Sequence, residues 1–131
     1  MHVLIAGGGQ VGALIARRLI REGNAVTIVD PDPERCAELD AQFDARIVTG
    51  NAARLLVLRE AGIAKSEMVI AVTDHDEVNL LVCQIAQVES NARIKVLRLR
   101  THEVQLWHEL LSKSGVHVDL IIHPETELAE S

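Results

Sequence analysis

Gly7, Gly9 and Gly12 are spaced G-x-G-x-x-G and come directly after the apolar run Val3-Leu4-Ile5-Ala6. Between a strand and a helix, this spacing suits one task, the holding of a pyrophosphate. One glycine makes the tight turn, the second lets backbone N–H groups reach phosphate oxygens, and the third lets the helix press on the sheet. The positive end of the helix dipole adds to the attraction for an anion. Three glycines also suit an ordinary turn with no ligand, so the later strand ends have to supply the context.

Asp30 closes the next β-branched run, about 20 residues on, where an acid receives ribose hydroxyls in dinucleotide sites. A carboxylate there repels a 2′-phosphate, which favours NAD(H) or an adenosine nucleotide over NADP(H). Asp30-Pro31-Asp32-Pro33 also reads as a turn in which Asp32 caps a helix that starts with proline. Asn51, in Thr49-Gly50-Asn51-Ala52, either hydrogen-bonds an adenine through its amide or caps the next helix. Thr73-Asp74-His75-Asp76-Glu77 ends a fourth run. Its acids suit a helix N-terminus, a divalent cation or acid–base chemistry. The helix role is the default for Asp76 and Glu77, while Thr73 and Asp74 lie nearest the loop and are the better ligand candidates. Arg98 and Arg100 are two apart on a fifth run and so share a face. They want an anion, either a phosphate or the Asp74 segment, or they form a structural ion pair.

No other residues form a recognisable constellation. The six histidines show no metal-ligand spacing, and Cys36 and Cys83 lie far apart with no C-x-x-C, which reads as free thiols. Neither a catalytic nor a metal set is assigned. The net charge of −6 is the wrong sign for a nucleic-acid footprint. Phe43 and Trp107 are the whole aromatic complement, too few for base-stacking platforms. No apolar run is long enough to span a membrane, and Met1-His2-Val3-Leu4 enters a strand with no signal-peptide pattern. The expectation is a cytoplasmic protein with no direct membrane insertion.

The elements that position these residues follow from periodicity. Val3-Ala6, Ala25-Val29, Arg46-Val48, Met68-Val72, Ile94-Leu99 and Val116-Ile122 are mostly continuous apolar runs, as in strands of a parallel sheet covered on both faces. Helical patterns fill the gaps. The first carries Val11, Leu14, Ile15 and Leu19 on one side and Arg17, Arg18 and Arg21 on the other. A second starts at Asp32-Pro33, and a third spans roughly Ala52 to Ala61. The fourth has the stripe Val78, Leu81, Val82 and Ile85, and the fifth has Val104, Trp107 and Leu111. Strict alternation with right-handed crossovers gives an α/β, doubly wound, Rossmann-like parallel sheet of six strands in the order 3-2-1-4-5-6. Residues 1–122 form the nucleotide-binding domain, and 123–131 begin a connecting helix or linker.

Several stretches, in order and across essentially the whole chain, resemble the N-terminal domain of potassium-transport regulators of the RCK/KTN type, the TrkA-N family. They are Val3 through Gly12, Val29-Asp30, Gly50-Asn51-Ala52, Leu58-Arg59-Glu60-Ala61-Gly62-Ile63 and Thr73-Asp74-His75-Asp76-Glu77-Val78-Asn79-Leu80. Arg98-Leu99-Arg100-Thr101-His102-Glu103 and Val118 through Glu125 complete the set. The resemblance implies a regulatory subunit that binds NAD(H), ATP or ADP without chemistry on it and gates a membrane potassium transporter or channel. It also implies self-association as a dimer or higher ring. Its ligand positions carry over to Gly7, Gly8, Gly9, Gln10, Val11, Asp30, Thr73, Asp74 and Arg98. Two positions depart from the family pattern. Asn51 stands where the family has an acid. Gln10 stands where some ATP-preferring members carry arginine, which favours NAD(H).

Two other functions fit the same loop. One is the cofactor half of an NAD-dependent oxidoreductase, which also needs a substrate pocket and a proton donor, and 131 residues leave little room for either. The other is an assembly module with an empty loop, against which the intact Gly7, Gly9, Gly12 and Asp30 count. Trp107 and its apolar neighbours either line an interface between copies or pack into the core.

Overall fold

A computed structural model describes residues 1–123. Six strands alternate with five helices: β1 (His2–Ala6), α1 (Gln10–Arg21), β2 (Ala25–Asp30), α2 (Pro33–Gln42), β3 (Arg46–Thr49), α3 (Leu55–Glu60), β4 (Met68–Ala71), α4 (Asp76–Glu89), β5 (Ile94–Arg98), α5 (Val104–Lys113) and β6 (Leu120–Ile122). A single 3-10 turn, Ile63–Lys65, precedes β4. All pairings are parallel, and the sheet order is β3-β2-β1-β4-β5-β6, as the alternation of patterns predicts. The expected segment 123–131 lies outside the described residues beyond His123.

The alternation of side chains along each strand divides the core between two faces. Val3 and Ile5, with Val26, Ile28 and Ile70, meet Ala13 and Ala16 of α1 and Leu39 of α2. Leu4 and Ala6, with Val29, Val69, Ala71 and Leu97, meet Leu58 of α3, Val82, Cys83 and Ala86 of α4, and Leu111 of α5. Strands buried on both sides explain why the runs are continuous rather than alternating.

The register sets the site. Ala6 is level with Val29 on one side and with Ala71 on the other. Residues just past these positions therefore share one edge of the sheet. That edge includes the place where the chain leaves β1 for β2 on one side and reaches β4 on the other, which is the topological switch point.

Several expectations are corrected. Leu14 is 66% exposed, and the face of α1 against the sheet is made by Gly12, Ala13 and Ala16. Two residues apart on a helix are nearly opposite, so a small-residue face on Ala16 turns Leu14 outward. Leu81 is likewise exposed, and α4 buries Asn79, Val82, Cys83 and Ala86 instead. The third helix begins at Leu55 rather than Ala52, because Asn51–Arg54 forms a turn closed by Arg54 N–H on the Asn51 carbonyl at 3.0 Å. The last strand is short: Val116 is buried but precedes it. Arg100 lies beyond β5, so the shared strand face with Arg98 is not formed. No helix among the described residues is long and apolar enough to cross a membrane.

Candidate functional site

The glycine loop is built by close contacts. Gly7 has φ 112°, a left-handed conformation that side chains resist, and a Cβ there would lie 2.9 Å from the Val72 and Thr73 backbone. A Cβ on Gly12 would lie 1.9 Å from the Gly7 carbonyl oxygen, so only glycine lets α1 pack this close to the loop. Gly9 is the reverse case. It is the N-cap of α1, and a Cβ there would meet nothing within 4 Å. The backbone at Gly9 borders open space.

That space is a cleft of about 480 Å³ at the carboxyl edge of the sheet. Of the residues expected from the sequence, Gly7, Gly9, Gln10, Val11, Asp30, Asn51, Thr73, Asp74 and Arg98 line it together. Gly8 and Gly12 do not. Gly8 lies behind the loop with its N–H on Asp30, and Gly12 lies beneath it against Gly7.

The first turn of α1 has no side-chain cap and no acidic residue. Ala13 N–H is the first to close the ladder, on the Gly9 carbonyl at 2.9 Å. The N–H groups of Gln10, Val11 and Gly12 precede it and take no helical partner. Two other helices differ: Asp32 caps α2 by accepting from Glu34 N–H at 3.0 Å, and α4 has Asp76 and Glu77 in its first turn. The positive end left open at α1 is the arrangement an anion requires.

Asp30 stands across the loop. One carboxylate oxygen accepts the Gly8 N–H at 2.9 Å and the other accepts the Asp32 N–H at 2.9 Å. Each oxygen keeps a further acceptor position, so the group can still accept from a hydroxyl while held in place. Asp32 caps α2 as its spacing predicts.

Asn51 lines the cleft but does not cap the helix that follows it. Its side-chain oxygen accepts from Ala53 N–H at 2.8 Å and shapes the turn ahead of α3, whose N-cap is Arg54.

On the other half of the cleft, Arg98 lies 3.6 Å from the Asp74 carboxylate. The arginine side chain is only 12% exposed and the aspartate 77%, and Arg98 Nε is buried with no hydrogen-bond partner. A buried guanidinium N–H without an acceptor is costly. Arg100 reaches the Asp74 carbonyl only at 3.5 Å and is exposed.

The acids after β4 are not interchangeable. The Asp76 carboxylate accepts the N–H groups of Arg100 at 2.8 Å and Thr101 at 3.0 Å, clamping the β5–α5 connection. Its role is therefore more than the helix-dipole one expected of it. Glu77 lies 3.9 Å from His75. Among the described residues, no three His, Cys, Asp or Glu side chains converge in a metal-holding group.

Two residues of the site are not expected from the sequence. Arg35, on α2, lines the cleft and donates from Nε to the Gly8 carbonyl at 2.5 Å. Asn79, wholly buried on α4, ties Thr73 to Arg98. A polar residue at a core position of an amphipathic helix is the signal that could have found Asn79. The arginine two residues after an Asp-Pro helix start is the weaker signal for Arg35.

Comparison with known proteins bears on this site. The model of the TrkA-N domain matches residues 3–124. The chain is 43% identical to the Trk system potassium uptake protein TrkA of Azorhizobium caulinodans over 99% of its length, and 42% identical to that of Vibrio alginolyticus over 95%. It spans 29% and 28% of those two proteins. Among solved structures, the TrkA-N domain of an Escherichia coli inner membrane protein superposes with a TM-score of 0.77 at 21% identity, covering 98% of this chain and 91% of that one. An NAD-bound GsuK channel gives 0.74 at 19% identity, over 92% of this chain and 21% of that one. An AMP-bound Kef C-terminal domain of Shewanella denitrificans gives 0.70 at 22% identity, over 94% and 71%. At these identities, the superpositions speak for the fold.

Proposed function

The chain belongs to the TrkA-N domain family, and from that premise we propose that it is the nucleotide-sensing part of a potassium uptake regulator. One observation carries the proposal. The uncapped N-terminus of α1 opens, at a glycine whose Cβ position is empty, into a cleft that Asp30 and Arg98 also line.

In this reading the N–H groups of Gly9, Gln10 and Val11 receive the phosphates, and Asp30 receives the ribose hydroxyls of an adenosine. Asn51 offers its amide N–H to the base, while Thr73, Asp74 and Arg98 form the far wall. The other loop residues act indirectly: Gly7 and Gly8 shape the turn, and Gly12 lets the helix approach. NAD(H) is favoured over ATP or ADP, because the uncharged Gln10 offers no cation to a terminal phosphate. The carboxylate of Asp30 disfavours a 2′-phosphate. Bound NAD in one relative in fold and bound AMP in another support an adenine nucleotide as the class.

The nucleotide is a signal here and undergoes no reaction, so the protein is not an enzyme. A signal needs two conformations with unequal affinity for the ligand. Residues 1–122 form the sensing unit, and copies associate as a dimer or larger ring. The partner is a membrane potassium transporter or channel subunit, met from the cytoplasmic side.

The test is potassium flux through a reconstituted transporter with the purified regulator added. Flux that changes with NADH or NAD⁺, and no longer does so when Gly9→Ala regulator is used, is the expected result. Flux indifferent to nucleotide at millimolar concentration would overturn the proposal.

A further inference from the structure

Arg35 is the third residue of α2, and its side chain runs back to the glycine loop. Nε donates to the Gly8 carbonyl at 2.5 Å, one terminal nitrogen donates to Glu38 at 2.9 Å, and the side chain is 27% exposed. The packing that allows this is close: a Cβ on Gly8 would lie 2.6 Å from Leu39 of the same helix.

The contact has a consequence for the loop. The Gly8 carbonyl and the Gly9 N–H belong to one peptide unit, which is trans and planar. The two groups point in opposite directions. A guanidinium that holds the Gly8 oxygen toward α2 therefore aims the Gly9 N–H away from α2. The neighbouring peptide is held in the same way, because Asp30 accepts the Gly8 N–H at 2.9 Å. With glycine on both sides, the Gly8–Gly9 peptide has little intrinsic preference against flipping. A flipped peptide would present a carbonyl oxygen, in place of an N–H, to an incoming anion.

We propose that Arg35 is a positioning residue for the phosphate loop: its charge-assisted hydrogen bond fixes the orientation of the Gly8–Gly9 peptide so that the Gly9 N–H faces the anion. Glu38 steadies Arg35 from the solvent side. The proposal rests on the reading of the cleft as a nucleotide site, and it adds a residue from α2 to the machinery.

The experiment uses the whole chain with Arg35→Met and Arg35→Lys. Nucleotide binding is measured with ADP, which has a pyrophosphate, and adenosine, which has none. The Gly9 amide resonance is followed in the ligand-free proteins. Arg35→Met is expected to weaken ADP by about tenfold or more, the value of a charge-assisted hydrogen bond. Adenosine should change by less than about twofold, within the spread of an indirect effect. The Gly9 amide should shift or broaden in Arg35→Met and return toward the native position in Arg35→Lys. Equal loss of ADP and adenosine would overturn the proposal, since Arg35 would then contact the nucleoside. An unmoved Gly9 amide in Arg35→Met would also overturn it, whether or not nucleotide binds. Wild-type protein that binds neither ligand, with a Gly9 amide that does respond, would count against the nucleotide reading alone and support the positioning role.

Discussion

Asn79 donates from its amide nitrogen to the Arg98 carbonyl oxygen at 2.9 Å, and so joins the end of β5 to a buried point on α4. The same amide group donates to the Thr73 carbonyl at 3.0 Å and accepts from the Thr73 N–H at 2.9 Å and hydroxyl at 2.6 Å. One side chain holds Thr73 and Arg98 in fixed relation at the switch point. Asn79→Leu keeps the approximate size but leaves these backbone groups unpaired in the interior. It should lower stability by roughly 2–4 kcal/mol, read from urea unfolding. The buried Arg98 should lose its placement with it, so that nucleotide affinity falls even at temperatures where the variant remains folded.

Gly9 and Gly12 should respond oppositely to the same change. At Gly12, a methyl group collides with the Gly7 carbonyl, so α1 must shift. Gly12→Ala should cost about 1–3 kcal/mol or more, as overpacking does, visible as a lower melting temperature without ligand. At Gly9, the methyl has open space. Gly9→Ala should melt within a few degrees of wild type yet lose nucleotide binding, because the methyl occupies the approach to the N–H groups. Equal melting and equal binding for both variants would separate the loop from the ligand.

Asp30 should control the ribose end. Asp30→Asn removes the negative charge facing a 2′-substituent and replaces one acceptor oxygen with a donor. NADH should weaken by about tenfold, the value of one charged hydrogen bond. The preference for NADH over NADPH should narrow, measured by fluorescence titration of the two reduced cofactors.

Burial raises the Cys83 thiol from 9.0 to about 12, with the nearby Lys95 ammonium acting in the other direction. Between those values the unfolded chain has released the proton and the folded chain retains it. Stability from this group is thus fully present below pH 9 and falls as pH rises toward 12, with a slope of up to about 1.4 kcal/mol per pH unit. The chain has no tyrosine to titrate over the same range. Cys83→Ala should flatten the alkaline limb of a stability–pH profile, and a thiol reagent at about pH 8, below the ordinary thiol value, should leave native Cys83 unmodified.

The strand order and the loop were legible because they rest on local rules. Continuous apolar runs announce strands covered on both faces, and Asp30 and the glycines stand at fixed distances in the first βαβ unit. What escaped depends on contacts between distant elements. Leu14 looked like core by periodicity, but Gly12, Ala13 and Ala16 let α1 lie close to the sheet and turned it out. Asp76 looked like a helix-dipole acid, and its carboxylate in fact clamps two N–H groups of a segment far along the chain. Arg35 on α2 carries no motif, and only the packing of α2 on the loop brings it to Gly8.

The central claim is that the cleft at the α1 N-terminus is a nucleotide site, and calorimetric titration of the purified chain with NADH, NAD⁺, ADP and ATP tests it most directly. The predicted result is saturable binding of NADH with one site per chain, competition by ADP, and loss of the heat signal in Gly9→Ala. No binding of any of the four at millimolar concentration, or binding that Gly9→Ala leaves intact, would contradict it.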